Sequence, residues 1–143
     1  LDLAVSFGVY ACLMVGYRHL PGIWVLLLPV LVLLTLITAL GASYFLSGLT
    51  VVYRDFRAVA PFLVEIWKYL SPVVYSVTLF PARYHWILAL NPMTGIIRGF
   101  RSALLNQPMD WGLLGISSLS AVLLFVSGLY YFRRIERRFA DVA

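Results

Sequence analysis

Long apolar runs separated by short polar segments dominate the hydrophobic pattern of this chain. Residues 23–49 carry no charged side chain, and a run of this length can cross a bilayer as a helix. Mainly apolar runs also occupy residues 61–80 and 111–132, and a shorter one occupies residues 3–17. The pattern predicts an all-α integral membrane protein in which residues 1–143 form one domain with about four transmembrane helices.

The run between the last two predicted spans, residues 81–108, is interrupted in the middle. Asn91 can cap a helix whose first residue is Pro92, so the second half forms a helix of its own. This helix of about fourteen residues reaches roughly 21 Å, against a hydrocarbon core of about 30 Å. Two short helices can enter the membrane and return to the same face, where their irregular turn needs protein or a water-filled cavity around it. The segment predicts a re-entrant helical hairpin on the outer face.

Small residues recur at helical spacing in two places. Gly95, Gly99 and Ala103 form one row in the hairpin, and residues 41–48 of the second span are also rich in glycine, alanine and serine. Small side chains let helix backbones approach closely in membranes, so both segments are predicted to pack tightly against other helices.

Composition supports the membrane assignment and excludes several classes. Of the 143 residues, 62% are hydrophobic and only 12% are charged, whereas soluble domains contain about 25% charged residues. One cysteine excludes a disulfide framework, and the net charge of +5 comes from arginines at the ends of apolar runs rather than from a nucleic-acid-binding patch. The chain opens inside an apolar run with Leu1, which predicts that it is the C-terminal part of a longer protein.

The positive charges predict the orientation. A dense arginine cluster follows the last span and places the C-terminus in the cytoplasm, at Arg133, Arg134, Arg137 and Arg138. Alternation along the chain then places the connector at residues 51–60 in the cytoplasm and the hairpin outside.

The sequence contains no catalytic or nucleotide-binding motif. It lacks HExxH, CxxC and the GxxxxGK[ST] loop, and Lys68 is its single lysine. We therefore expect no cofactor in this chain and no enzymatic activity. If ATP drives the activity of this protein, a separate subunit must bind the ATP and Mg²⁺.

Glu65 and Lys68 lie three residues apart within the third predicted span. Ionisable residues inside a membrane often serve a pathway or a gate, because burying them unpaired is costly. An ion pair near the cytoplasmic end of the span is the alternative, since snorkelling would reduce that cost.

Four segments together resemble a known family. YRDFR at residues 53–57, SPVVY at 71–75, LNPMTGIIRGFR at 90–101 and YYFRRIERRFADVA at 130–143 are similar to segments of the permease subunits of ABC transporters that export polysaccharides. These are the O-antigen, capsule and teichoic-acid exporters.

The resemblance implies a permease with about six spans, of which the first two or so would precede this chain. It implies a homodimer, a pair of cytoplasmic ATP-binding subunits, and outward movement of a lipid-linked glycan across the bacterial inner membrane. The sequence departs from the family pattern at Glu65, Lys68, Ser76 and Arg98, so the glycan is not identified.

Roles for individual residues follow from this resemblance and from the residue types. The expected contact with the ATP-binding subunit is Tyr53, Arg54, Asp55 and Arg57. The expected substrate pathway includes Phe62, Tyr69 and Tyr75, and the expected outer gate is the hairpin with Asn91, Pro92, Arg98 and Arg101. Plain alternatives are arginines that anchor the helix ends in the membrane surface and aromatic residues that pack between helices.

Two other functions fit the same composition. A proton-coupled carrier of small molecules would use Glu65 and need no ATP-binding partner. A membrane subunit that only supports an enzyme would transport nothing.

Overall fold

The computed structural model describes residues 1–16, 18, 22–71 and 79–142. Six α-helices occupy these residues: α1 (Asp2–Gly16), α2 (Leu28–Val52), α3 (Phe56–Leu70), α4 (His85–Ala89), α5 (Pro92–Leu105) and α6 (Trp111–Ala140). Short 3₁₀ helices precede α2 at Ile23–Leu27 and α4 at Ala82–Tyr84. The prediction of an all-α chain is confirmed for the described residues.

Two helices are long and apolar enough to cross a membrane, Ile23–Val52 and Trp111–Ala140, with 30 residues each. They match the second and fourth predicted spans. The first predicted span is helix α1, whose 15 residues give a length of about 22 Å.

The two long helices run parallel and touch backbone to backbone. Trp24 and Trp111 pack with ring centroids 5.8 Å apart at one end, while a Cβ on Gly48 would lie 3.2 Å from Ile135 near the other. Midway, a Cβ on Gly128 would lie 2.5 Å from the carbonyl oxygen of Gly41. The predicted close packing of the small residues in α2 is confirmed.

Helix α5 packs against both long helices and completes the core. Its small-residue row is fully enclosed: Gly95 and Gly99 are buried and Ala103 is 0% exposed. A Cβ on Gly99 would lie 2.8 Å from Leu31 of α2, and Ala103 joins Leu31 and Leu114 in the central apolar cluster. The predicted role of this row is confirmed.

Helix α3 differs most from the expected boundaries. It begins at Phe56 and ends at Leu70, whereas the sequence predicts a span over residues 61–80. Pro61 lies inside the helix, at its sixth residue, rather than at its start. A proline at this position removes one intrahelical hydrogen bond. The sequence also predicts a kink at Pro72, because proline removes a helical hydrogen bond, but residues 72–78 lie outside the described part of the chain. No residue of α3 is buried, so this helix lies on the surface of the chain.

Helix α6 also continues past the predicted end of the last span at residue 132. The sequence that follows, RRIERRFA, contains good helix formers and no glycine or proline, so nothing ends the helix before Ala140. The arginine cluster therefore lies on a rigid helix and not on a loose tail.

Candidate functional site

Several side-chain hydrogen bonds hold the turn between α4 and α5. Asn91 caps α5 from an extended conformation, and its side-chain oxygen accepts a hydrogen bond from the Met93 amide at 3.1 Å. Pro92 occupies the first turn of the helix, where its missing N–H costs nothing. The predicted cap and break are therefore confirmed at these two residues.

The Asn91 side chain also ties this turn to the end of α3. Its oxygen accepts a second hydrogen bond from the Trp67 indole Nε1 at 3.1 Å, and its amide nitrogen donates to the Ser71 hydroxyl at 3.1 Å. Ser71 in turn donates to the carbonyl of Trp67 at 3.0 Å. We call Asn91, Trp67 and Ser71 the tip network. It makes the position of the turn depend on the position of α3.

Ser117 of α6 holds the same turn from the opposite side. Its hydroxyl accepts a hydrogen bond from the Gly95 amide at 2.9 Å and donates to the Ala89 carbonyl at 3.3 Å. Ser117 and Ala89 are both fully buried. One side chain therefore supplies partners to both arms of the hairpin, which is how a bent backbone is satisfied away from water.

The turn lies beside the middle of α6. Asn91 and Pro92 line an open groove of about 640 Å³ together with Trp67, and the α6 side of the groove runs from Ser120 to Ser127. These α6 residues lie roughly 14–24 Å along the helix from Trp111. The other end of α5 returns toward Trp111, because the Ser102 hydroxyl donates to the Pro108 carbonyl at 3.3 Å. The hairpin thus extends about halfway along α6.

An ion pair fixes α5 to the start of α6. Arg98 Nη1 lies 3.6 Å from the Asp110 carboxylate, and the Asp110 side chain also caps α6 by accepting a hydrogen bond from the Leu113 amide at 3.1 Å. Both charged side chains are partly exposed, and Arg101 is half-buried. In this chain Arg98 therefore already has a carboxylate partner.

The two described aromatic residues of the predicted pathway share one face of α3. Phe62 and Tyr69 are seven residues apart, which is two helical turns, and each is 63% exposed. Tyr75, the third predicted residue, lies outside the described residues. The exposed aromatic face is open to a ligand or to another protein surface.

Lys68 is exposed, and it lies further from the start of its helix than the sequence indicates. It lines a cavity of about 300 Å³ with Thr38 of α2 and Met93 of α5, and Thr38 is near the middle of the 30-residue segment Ile23–Val52. Because α3 begins at Phe56, Lys68 is far from the start of its helix. Within the described residues it forms no ion pair with Glu65, and its amine lies 5.1 Å from the ring centroid of Tyr69. The predicted Glu65–Lys68 pair is absent from this arrangement.

The predicted contact segment lies at the opposite end of the chain from the hairpin base. Tyr53, Arg54 and Asp55 form the short non-helical link between α2 and α3, and Arg57 lies in the first turn of α3. All four side chains are exposed. Because α2 and α6 are parallel and the link follows the C-terminus of α2, it lies at the same end of the molecule as the arginine cluster of α6.

Sequence reasoning missed three residues that hold the hairpin: Trp67, Ser117 and Asp110. A serine inside a transmembrane helix is a weak signal, since its hydroxyl usually returns to its own helix, as that of Ser118 does to Leu114 at 2.7 Å. The role of Trp67 could not be predicted from local sequence, because its hydrogen-bond partner, Asn91, lies 24 residues away.

The chain is similar in sequence to known transport proteins. The family model described as ABC-2 type transporter matches residues 3–105. The chain is 25% identical over 143 residues to the O-antigen export system permease protein RfbA of Klebsiella pneumoniae, covering 99% of the chain and 55% of that protein. It is 27% identical over 140 residues to the RfbA of Myxococcus xanthus, covering 94% of the chain and 54% of that protein.

The chain therefore spans about half the length of the curated relatives it matches. The relatives are named as permeases, which are transport proteins and not enzymes. No solved structure matches the chain. The family match covers well over half of the chain and two of its helices can span a membrane, so this is a membrane protein that belongs to the ABC-2 type transporter family.

Proposed function

We propose that this chain is the permease part of an ATP-driven exporter that moves a lipid-linked polysaccharide outward across the bacterial inner membrane. The observation that carries the proposal is the tip network, which joins a bent hairpin at mid-helix depth to a surface helix with an exposed aromatic face. The names of the RfbA relatives support a polysaccharide as the substrate.

The hairpin acts as the outer gate in this proposal. Its base lies at the Trp111 end of α6 and its turn lies near the middle of that helix, as expected for a re-entrant segment. Movement of α3 would shift Trp67 and Ser71 and would therefore move the turn. Cysteines at Ala82 and Gln107, in a Cys12→Ser background, should both react with an impermeant thiol reagent added outside. Labelling of either one only from the cytoplasm would end this topology.

A four-span arrangement is part of the same proposal. In this arrangement α1, α2, α3 and α6 belong to successive spans of one domain, with the 53–55 link and the C-terminus in the cytoplasm. The exposed face with Phe62 and Tyr69 then borders the glycan path between two copies of the permease, because flat aromatic rings stack on the apolar faces of sugars. No nucleic acid takes part.

Energy comes from a pair of cytoplasmic ATP-binding subunits, since this chain has no nucleotide-binding loop. The exposed link with Arg54 and Asp55 leads directly into α3, so force applied there reaches the tip network along one helix. The double change Arg54→Glu with Arg57→Glu should leave the permease inserted but lower its co-purification with the ATP-binding subunit. Arg18→Glu with Arg83→Glu is the matched control, since both arginines are exposed and lie outside the link. Normal co-purification and normal stimulated ATP hydrolysis in the double variant would exclude this link as the contact.

The function itself is tested in cells. Disruption of the gene should abolish surface polysaccharide and leave the lipid-linked polymer inside, and the wild-type gene should restore export. Removal of the ATP-binding subunit should have the same effect. Export that continues without that subunit but stops when the pH gradient is collapsed would favour a proton-coupled carrier using Glu65. Unchanged surface polysaccharide after disruption would leave only a supporting role.

A further inference from the structure

We propose that the C-terminal part of α6 carries a binding site for the headgroup of an anionic phospholipid. Four arginines and a tyrosine line one concave surface there, with a volume of about 540 Å³, together with Asp141. The residues are Tyr130, Arg133, Arg134, Arg137, Arg138 and Asp141, which we call the arginine face. Their spacing of three and four residues places them on one side of the helix.

The arginine face points away from the rest of the described chain. The opposite side of α6 is buried against α2, with Ala121 0% exposed and Ile135 8% exposed. All four arginines are exposed, and within the described residues no carboxylate forms an ion pair with any of them. Glu136 lies on a different side of the helix, so Asp141 is the single acidic residue that lines the concave surface. The surface keeps a clear excess of positive charge.

The depth of the arginine face matches a lipid headgroup layer. From Trp111 a hydrocarbon core of about 30 Å takes up roughly 20 residues of helix and ends near Tyr130. Arg133 and Arg134 then lie roughly 3–5 Å beyond the hydrocarbon, and the second arginine pair lies one turn further. The headgroup layer is about 5–7 Å thick on each side, so the first pair lies level with the phosphates and the long side chains of the second pair reach back to them.

An apolar stripe leads from the membrane interior to the same surface. Leu119, Leu123, Val126 and Tyr130 follow the helical spacing of the arginine face and are 55–68% exposed. Acyl chains can lie along this stripe while the phosphate meets the arginines and the tyrosine stands at the interface. A positively charged segment that only sets the orientation of the protein in the membrane would not need all four arginines on one side of a helix. The geometry therefore favours a phospholipid with a net negative charge over a neutral one.

Lipid retention by the purified protein tests the inference. The protein is freed of lipid in mild detergent and titrated with phosphatidylglycerol or phosphatidylcholine, and bound lipid is counted by native mass spectrometry. Phosphatidylglycerol should bind more tightly, and its binding should weaken as salt is raised. Arg134→Gln with Arg137→Gln should weaken phosphatidylglycerol binding roughly thirtyfold, from the typical contribution of a basic residue at the membrane surface.

Two controls make the result decisive. Arg18→Gln with Arg83→Gln removes the same charge from exposed positions outside the arginine face and should leave lipid binding unchanged. Arg134→Lys with Arg137→Lys keeps the charge and should retain most of the binding, which also covers the case in which the glutamine variant fails to fold. Equal binding of both lipids, binding insensitive to salt, or equal losses in the two glutamine variants would overturn the proposal. So would unchanged lipid binding with a loss of co-purified ATP-binding subunit, because the arginine face would then be a protein contact. None of these outcomes depends on which substrate is exported.

Discussion

Replacing Asn91 by alanine tests whether the tip network holds the hairpin turn. The change removes the cap of α5, which typically contributes about 1 kcal/mol, and it leaves the Trp67 indole N–H without its acceptor, which costs about 1 kcal/mol more. The sum of roughly 2 kcal/mol corresponds to a change of about thirtyfold in the equilibrium between the docked and the released turn. The loss of the Ser71 contact adds to this value.

Hydrogen exchange reports the docked state directly. The Met93 amide donates to the Asn91 side chain, so peptides covering residues 91–97 should exchange faster in Asn91→Ala by tenfold or more. Asn91→Asp keeps the oxygen acceptor and should have a smaller effect. Asn106→Gly is the matched control, because Asn106 caps the other end of α5 with a positive φ of 53° that glycine adopts freely.

A double-mutant cycle with Trp67→Phe then separates the cap from the contact with α3. If the two residues share the hydrogen bond seen in the structure, the double variant should lose less stability than the sum of the single variants. Additive losses, or unchanged exchange in Asn91→Ala, would refute the reasoning.

Three further changes address the packing and the charges. Gly128→Val should lower the free energy of unfolding of the detergent-solubilised protein by about 1–3 kcal/mol, because its Cβ would lie 2.5 Å from a carbonyl oxygen of α2. A Cβ on Gly115 would meet nothing within 4 Å, so Gly115→Val is the control and should be harmless. Equal stability of the two variants would contradict the close approach of α2 and α6. Asp110→Asn keeps a capping side chain and should lower the free energy of unfolding by less than about 1 kcal/mol. Asp110→Ala also removes the cap and should lower it by about 1 kcal/mol more in the same unfolding assay. Equal losses in the two variants would mean that the cap contributes nothing to stability. Glu65→Gln and Lys68→Met should combine additively in stability because the two charges form no ion pair, so a double variant more stable than the sum predicts would show that they do pair.

Much of the hairpin could be predicted from local sequence. Asn91-Pro92 has one strong structural meaning, a cap followed by a helix start, and the row from Gly95 to Ala103 repeats at the spacing of one helix face. Such signals depend on neighbouring residues only. The two long helices were predictable for a similar reason, since length and apolar character decide whether a helix can cross a membrane.

The rest of the site depends on contacts between distant parts of the chain. Helix α3 begins at Phe56, so part of the predicted connector at residues 51–60 forms its first turn. Because the helix begins at Phe56, Lys68 lies further from the start of α3 than a span beginning at residue 61 would place it. Trp67, Ser117 and Asp110 meet their partners only after the helices have packed, so no spacing in the sequence marks them.

The buried Ser117 bears on how well the protein insulates the membrane. A broken helix at mid-membrane depth normally needs water beside its free backbone groups, and a column of water there would conduct protons. Here one hydroxyl accepts from the Gly95 amide and donates to the Ala89 carbonyl inside a fully buried contact, so these two backbone groups need no water. A bacterial membrane that stores energy as an ion gradient requires such a seal in any resting pore. In the proposed topology, Ser117 would contribute to electrical tightness as well as to the shape of the hairpin.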